Sequence, residues 1–131
     1  MITEDYVSFE TAKLLKEKGF NERTIYGYIE NKGIVTDCCY CNIPGFPSDY
    51  DYNNTKTMGH HIYAKPTLQM AMKWLREEYR LFVNIELLSG IKYTWSIWFM
   101  NESKEEESSL VYDTYEQACE SAIRYCLENL I

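Results

Sequence analysis

The chain has 131 residues, of which 46% are hydrophobic and 25% are charged, and this predicts a single domain over residues 1–131 with its own core. Thirteen lysines and arginines face twenty aspartates and glutamates, and the net charge of −7 argues against a binder of nucleic-acid phosphates. No run approaches the roughly 18 apolar residues of a membrane span, and the acidic start is unlike a secretion signal. We therefore expect a cytoplasmic protein that does not enter membranes.

The first predicted elements are a helix and a β-hairpin. The hydroxyl group of Ser8 fits the cap of a helix that begins with FETA, and Gly19 marks its end. Two largely apolar runs, at residues 24–29 and 34–40, flank Asn31-Lys32-Gly33, which has the composition of a turn. These runs predict two paired strands.

Residues 42–65 are predicted to form a long loop without helical or strand period. The segment holds two of the three prolines, both histidines and several tyrosines. A connection of this length is usually functional or disordered. We therefore assign candidate partner-binding roles to Tyr50, Tyr52 and Tyr63 of this loop, together with Trp98.

The second half repeats the order of the first. Thr67 precedes an amphipathic helix, and alternating strands follow at 82–87 and 93–99. The similar helix starts suggest a degenerate αββ repeat of residues 8–41 and 67–100. An acidic, solvated loop is expected at 101–109.

A closing helix over residues 114–130 has the clearest apolar stripe, and Thr114 with Gln117 fits the capping-box spacing. The predicted order is helix-strand-strand, helix-strand-strand, helix. This order indicates an α+β fold in which an antiparallel sheet packs against amphipathic helices. Whether the two halves share one sheet stays open.

The clearest candidate for a metal site is a group of cysteines and histidines. Cys38 and Cys41 with His60 and His61 loosely suggest a zinc site. A strand over residues 34–41 would point the two thiols to opposite faces, however, and the histidines are adjacent rather than spaced. We therefore expect no metal and no cofactor, and keep a zinc-binding module as an alternative.

The five cysteines are an odd number in a chain expected in the cytosol, which predicts reduced thiols. Cys119 and Cys126 lie on the apolar stripe of the last helix and are interpreted as buried. The sequence has no glycine-rich phosphate loop, no Gly-x-Ser-x-Gly and no His-Glu-x-x-His. These absences argue against a familiar type of enzyme.

Aromatic side chains point instead to a contact surface. Trp98 and Met100 alternate away from Trp95 and Phe99 along the predicted strand. Trp98 is a core residue if both faces of the sheet are covered. If one face is open, Trp98 and Met100 form a protein-contact surface of the usual aromatic type.

Three runs resemble a family of small uncharacterised proteins encoded on prophages and other mobile elements of gut anaerobic bacteria. They are VSFETAKLLKEKGF at 7–20, PTLQMAMKWLREEYRLFV at 66–83 and YDTYEQACESAIRYCLENLI at 112–131. The resemblance implies a cytoplasmic accessory protein of a mobile element. It assigns no activity and no functional residues.

The leading hypothesis is a non-enzymatic protein-binding module that uses the tyrosine-rich 42–65 loop to bind a protein partner. The first alternative is an acidic nucleic-acid mimic that inhibits a DNA-binding enzyme, because a negative surface can occupy a basic groove. The second is the zinc module with Cys38, Cys41, His60 and His61. A homodimer is plausible, since small domains bury remaining aromatic surface in two-fold interfaces.

Overall fold

The computed structural model describes residues 1–39, 50–54 and 60–131. Across these residues the chain forms three α-helices and two antiparallel three-stranded sheets, which confirms the α+β fold. The chain divides into two compact units, residues 6–66 and residues 1–5 with 67–131, here called the N-terminal and C-terminal units. None of the helices in the described part of the chain is long and apolar enough to span a bilayer.

The N-terminal unit contains one helix and a sheet of strand order β2-β1-β3. Its elements are α1 (Phe9–Glu17), β1 (Tyr26–Asn31), β2 (Ile34–Cys39) and β3 (His61–Lys65). The Ser8 hydroxyl accepts a hydrogen bond from the Thr11 backbone at 3.3 Å, and Gly19 has φ +91° after the helix. Lys32 and Gly33 both have positive φ, as a two-residue hairpin turn requires, so the helix start and the hairpin are confirmed.

Strand β3 corrects the prediction of an unstructured loop through residue 65. Its ladder with β1 runs from Tyr26 opposite Lys65 to Glu30 opposite His61. Ile62 and Ala64 are buried, so the strand alternates as a half-buried strand should. The alternation spans only five residues, and the partner strand lies far away in sequence, so local period gives too little signal.

The C-terminal unit contains two helices on a sheet of strand order β4-β5-β6. Its elements are α2 (Leu68–Tyr79), β4 (Leu81–Leu88), β5 (Lys92–Phe99), β6 (Lys104–Glu107), α3 (Tyr115–Tyr125) and a π-helical turn (Cys126–Leu130). Strand β6 corrects the prediction of a solvated loop at 101–109. Its sequence is entirely charged, and its extended shape comes from backbone pairing with β5 rather than from an apolar face.

The closing helix begins as predicted and ends differently. Thr114 and Gln117 form the capping box, with Gln117 N donating to Thr114 Oγ1 at 3.1 Å. Regular α-helix stops at Tyr125, and the predicted last turns adopt π-helical pairing. Such wider turns displace side chains relative to a regular helix and occur frequently at functional sites.

Helices α2 and α3 pack on the same sheet and close the core of the C-terminal unit. Leu75, Ile97 and Ile123 are fully buried there. Cys119 and Cys126 are also buried, as predicted, and burial raises their pKa to about 11 and about 12. Both thiols are therefore protonated at neutral pH and contribute to packing.

Candidate functional site

Tyr52, predicted to bind a partner, is instead a core residue of the N-terminal unit. Its side chain is fully buried, and its hydroxyl group donates to the Ile25 carbonyl at 3.1 Å. The ring lies directly over Gly27, where a Cβ atom would be 2.5 Å from it. Glycine at position 27 thus makes room for the tyrosine ring, and Tyr52 presents no surface to a partner.

The residues on either side of Tyr52 hydrogen-bond to neighbouring parts of the N-terminal unit. Tyr50 exchanges two backbone hydrogen bonds with Thr24, at 2.8 and 3.0 Å. The Asn53 amide donates to the Phe20 carbonyl at 2.7 Å and accepts from the Ala64 backbone at 2.8 Å. Residues 50–54 are therefore structural rather than a projecting loop.

The other two tyrosines predicted to bind are half-buried and packed within the unit. The ring of Tyr50 meets Tyr52 edge-on at 5.1 Å, and the ring of Tyr63 meets Phe9 edge-on at 5.3 Å. The Lys16 ammonium lies 5.0 Å from the Tyr63 ring centre, and burial raises the pKa of Tyr63. These contacts hold Tyr50 and Tyr63 in internal packing.

The strand register separates two residues of the predicted zinc set. Cys38 lies opposite Gly27, which lies opposite Ala64, and His61 is three residues from Ala64 on β3. Two strand spacings and three residue rises place Cys38 and His61 roughly 14 Å apart, on opposite faces of the sheet. His60, the neighbour of His61, is exposed. Zinc ligands lie about 2 Å from the ion, so Cys38 and His61 cannot share one.

The remaining cysteines complete this picture. Cys41 lies outside the described residues, and among those that are described no three metal-ligating side chains come together. Burial raises the pKa of Cys38, against an opposing hydrogen bond to Tyr52. The expectation of reduced thiols is wrong for Cys39, which is disulfide-bonded.

The C-terminal unit presents an aromatic sheet face opposite its helices. Strand pairing places Phe82, Trp98 and Glu105 in one row across the sheet and Asn84, Ser96 and Glu107 in the next. Phe82 is 41% exposed, Trp98 is 47% exposed and Met100 is 51% exposed. We call the surface of Phe82, Trp98, Met100, Glu105 and Glu107 the Trp98 face. Of the two arrangements left open by the sequence, the structure has Trp98 exposed.

Carboxylates border the aromatic part of this face. The Ser96 hydroxyl donates to Glu86 at 3.3 Å, which holds a third carboxylate close to Glu105 and Glu107. Local desolvation and the neighbouring Glu107 raise the pKa of Glu105, and Glu86 adds to the effect. The neighbouring carboxylates therefore disfavour the ionised form of Glu105.

A groove lies on the helical side of the sheet, between α3 and the segment that follows β6. Its volume is about 660 Å³. Ser108 N donates to the Trp95 carbonyl at 3.0 Å, and Tyr112 exchanges backbone hydrogen bonds with Tyr93. The chain bulges away from β5 between these two anchors, and Trp95 contributes to the lining of the groove there.

Four polar side chains meet on one wall of the groove. The Trp95 indole N–H donates to Ser121 Oγ at 3.2 Å, Ser121 and Tyr112 share a hydrogen bond of 2.6 Å, and Ser108 lies 3.4 Å from Tyr112. Partial burial raises the pKa of Tyr112, but hydrogen bonds from Ser108, Ser121 and Trp95 together lower it below its usual value. We call these four residues the hydroxyl cluster.

The hydroxyl cluster was not foreseen from the sequence. Serine and tyrosine carry no motif at these spacings, and only the fold brings residues 95, 108, 112 and 121 together. The Trp98 face and the groove lie on opposite sides of one sheet.

No protein-family model, curated protein or solved structure matches the chain.

Proposed function

We propose that this chain is a non-enzymatic protein-binding module and that its contact surface is the Trp98 face. The main observation in support is that the Trp98 side chain is 47% exposed. It lies beside the exposed Phe82 ring on the sheet face opposite the helices. Tryptophan is usually well buried in monomeric proteins and is enriched at the centres of binding interfaces. The face replaces the tyrosine-rich segment as the predicted contact surface, since Tyr52 is buried.

The chemistry of the face indicates a basic partner. Glu86, Glu105 and Glu107 surround its polar half, and a cationic group would relieve their mutual repulsion. An arginine side chain can stack over the Trp98 ring while its guanidinium group reaches a carboxylate at the border. The partner is therefore a protein segment that carries arginine next to apolar side chains.

The cellular setting belongs to the same proposal. A cytoplasmic accessory protein of a mobile element, as the family resemblance implies, acts by engaging a protein of the host or the phage. The net charge of −7 favours rapid association with a basic partner. Association through charge is expected to slow and weaken as salt is added.

Selection from a displayed library of random peptides tests this function and does not require an identified partner. The wild-type chain is the bait, and peptides that also bind the Trp98→Ser variant are removed. We expect the remaining peptides to be enriched in arginine beside apolar residues, and their binding to weaken between low and physiological salt. Loss of enrichment after this subtraction, or enrichment of acidic peptides, would contradict the proposal.

The acidic-mimic hypothesis gives a different outcome in the same assay. A mimic presents carboxylates to a basic groove, so its binding depends steeply on salt and does not need an aromatic ring. Peptides whose binding falls with salt but survives Trp98→Ser would favour the mimic and reject the Trp98 face. The two functions are thereby separated by one substitution.

Replacement of Glu105 by glutamine is expected to stabilise the fold and weaken partner binding. Because the pKa of Glu105 is raised in the folded protein, its ionised form opposes folding, and the stability contribution of this group falls as pH rises. The variant should therefore have the higher Tm at pH 7, with the difference vanishing near pH 4, about the pKa of an unfolded glutamate. Thermal unfolding at several pH values measures this.

The matched control is Glu102→Gln, in the turn before β6, which removes the same charge outside the cluster. We expect it to change neither the pH dependence of Tm nor the affinity for a selected arginine peptide. A Glu105→Gln variant that is less stable at pH 7, or that binds the peptide as tightly as the wild type, would show that the cluster is not a binding feature.

A further inference from the structure

The groove has the dimensions of a ligand site. Its volume of about 660 Å³ falls within the roughly 300–1,000 Å³ usual for small-molecule pockets. The side chains of α3 and the π-helical turn that line it run from Gln117 to Asn129, a rise of roughly 18 Å along the helix axis. The groove is open to solvent along this length and therefore suits an elongated ligand.

The hydroxyl cluster is anchored at one end by the Trp95 indole. The indole can only donate, so the Ser121 hydroxyl accepts from it at 3.2 Å. Ser121 and Tyr112 lie 2.6 Å apart, and either oxygen can be the donor. Ser108 donates to the Leu110 carbonyl at 3.2 Å and lies 3.4 Å from the Tyr112 oxygen. These contacts fix the position of the Tyr112 hydroxyl group, which can donate to or accept from a ligand in the groove.

Charged and amide side chains line the rest of the groove. The carboxylates of Glu120 and Glu128 line it together with Arg124, whose guanidinium group is paired with Glu128 at 3.1 Å. The lining is thus net negative, which disfavours phosphorylated and other anionic ligands. Two amide side chains, Gln117 and Asn129, can both donate and accept.

The aromatic part of the wall is fixed by packing. The rings of Trp95 and Tyr125 lie 5.0 Å apart between centres, and Tyr125 donates its hydroxyl proton to the Glu106 carboxylate. Tyr125 is half-buried and presents part of its ring to the groove. The lining therefore combines the half-buried Tyr125 ring, the hydroxyl cluster and several carboxylate and amide groups.

We propose that this groove binds a neutral oligosaccharide, whose hydroxyl groups exchange hydrogen bonds with Tyr112 and with the carboxylates and amides of the lining. A sugar hydroxyl both donates and accepts, which matches a lining that offers both kinds of partner without a dominant cation. The apolar faces of sugar rings suit the exposed part of the Tyr125 ring. This ligand is separate from the protein partner of the Trp98 face.

Saturation-transfer NMR and calorimetry with maltotriose, cellotriose and tri-N-acetylchitotriose test the site. We expect at least one of these neutral probes to bind, and Tyr112→Phe to weaken it about fivefold to tenfold through loss of one hydrogen bond. Tyr93→Phe is the matched control, because it removes the same atom from the adjacent strand outside the groove lining. Trp98→Ala should leave sugar binding unchanged.

Three outcomes would overturn the site. The first is no binding of any neutral probe at millimolar concentration. The second is binding that Tyr112→Phe and Tyr93→Phe weaken equally, or that Trp98→Ala abolishes. The third is tighter binding of spermidine than of every sugar, which would assign the groove to a cationic ligand. If Tyr112→Phe unfolds the unit, Asn129→Ala takes its place, because Asn129 is an exposed residue of the lining.

Discussion

Replacement of Tyr52 by alanine is expected to destabilise the N-terminal unit by about 3 to 5 kcal/mol, the range for removing a large buried aromatic side chain. The ring is fully buried against Gly27, and its hydroxyl group satisfies the Ile25 carbonyl at 3.1 Å. Loss of both leaves a cavity over β1 and an unpaired carbonyl group. This is the largest stability effect that we predict for a residue of the 42–65 segment.

Hydrogen exchange of the β1 and β3 amides measures this effect within the N-terminal unit. Tryptophan fluorescence is unsuitable, because all three tryptophans lie in the C-terminal unit. Tyr52→Phe, which removes only the hydroxyl group, should cost about 1 kcal/mol. Gly27→Ala should destabilise the wild type, because its Cβ atom would lie 2.5 Å from the ring, and should be tolerated in the Tyr52→Ala background. Unchanged exchange in Tyr52→Ala would show that the Tyr52 side chain is not part of this core.

Replacement of Trp98 by alanine is expected to cost at least about 2 kcal/mol of partner binding, a loss of roughly thirtyfold or more in affinity. The indole is the largest exposed side chain of the Trp98 face, and its removal leaves Phe82 and Met100 with a smaller apolar area. Stability should change little, because the side chain is already 47% exposed. Titration of the variant with a selected arginine peptide measures the loss.

Ile34→Ala is the control for this prediction. Ile34 is 68% exposed on β2, an edge strand of the N-terminal unit, so the change removes exposed apolar surface of similar kind from the other unit. We expect its affinity for the peptide to match that of the wild type. Equal losses in Trp98→Ala and Ile34→Ala would indicate non-specific apolar contact.

Local chemistry made much of the fold predictable. Ser8, Thr67 and Thr114 all accept hydrogen bonds at helix starts, as their position before apolar helical runs indicates. The alternation of Val83 and Trp95 onto the core face of the sheet was equally visible in sequence. These signals depend on neighbouring residues alone.

Strands that depend on distant partners were missed. Strand β3 pairs with β1, which lies about 30 residues earlier in the chain, and β6 is a charged edge strand that pairs with β5. Neither has enough local pattern to distinguish a strand from a loop. The assignment of each half to its own sheet likewise follows from long-range pairing.

Site residues were harder to predict for the same reason. A tyrosine-rich, turn-rich segment has the composition of a binding loop, yet Gly27 leaves space for the Tyr52 ring, and Tyr52 is a core residue. Trp98 was identified by alternation, but its exposure depends on which face the helices cover. The hydroxyl cluster joins residues from a strand, a connecting segment and a helix, so no spacing rule finds it.

Chemical-shift mapping of a selected arginine peptide on the ¹⁵N-labelled wild-type chain tests the central claim most directly. The expected result is a set of shifts concentrated on β4, β5 and β6, with the largest change among the three tryptophan indole signals at Trp98. Shifts confined to residues 50–54 or to the sheet of β1, β2 and β3, with the Trp98 indole signal unmoved, would contradict it.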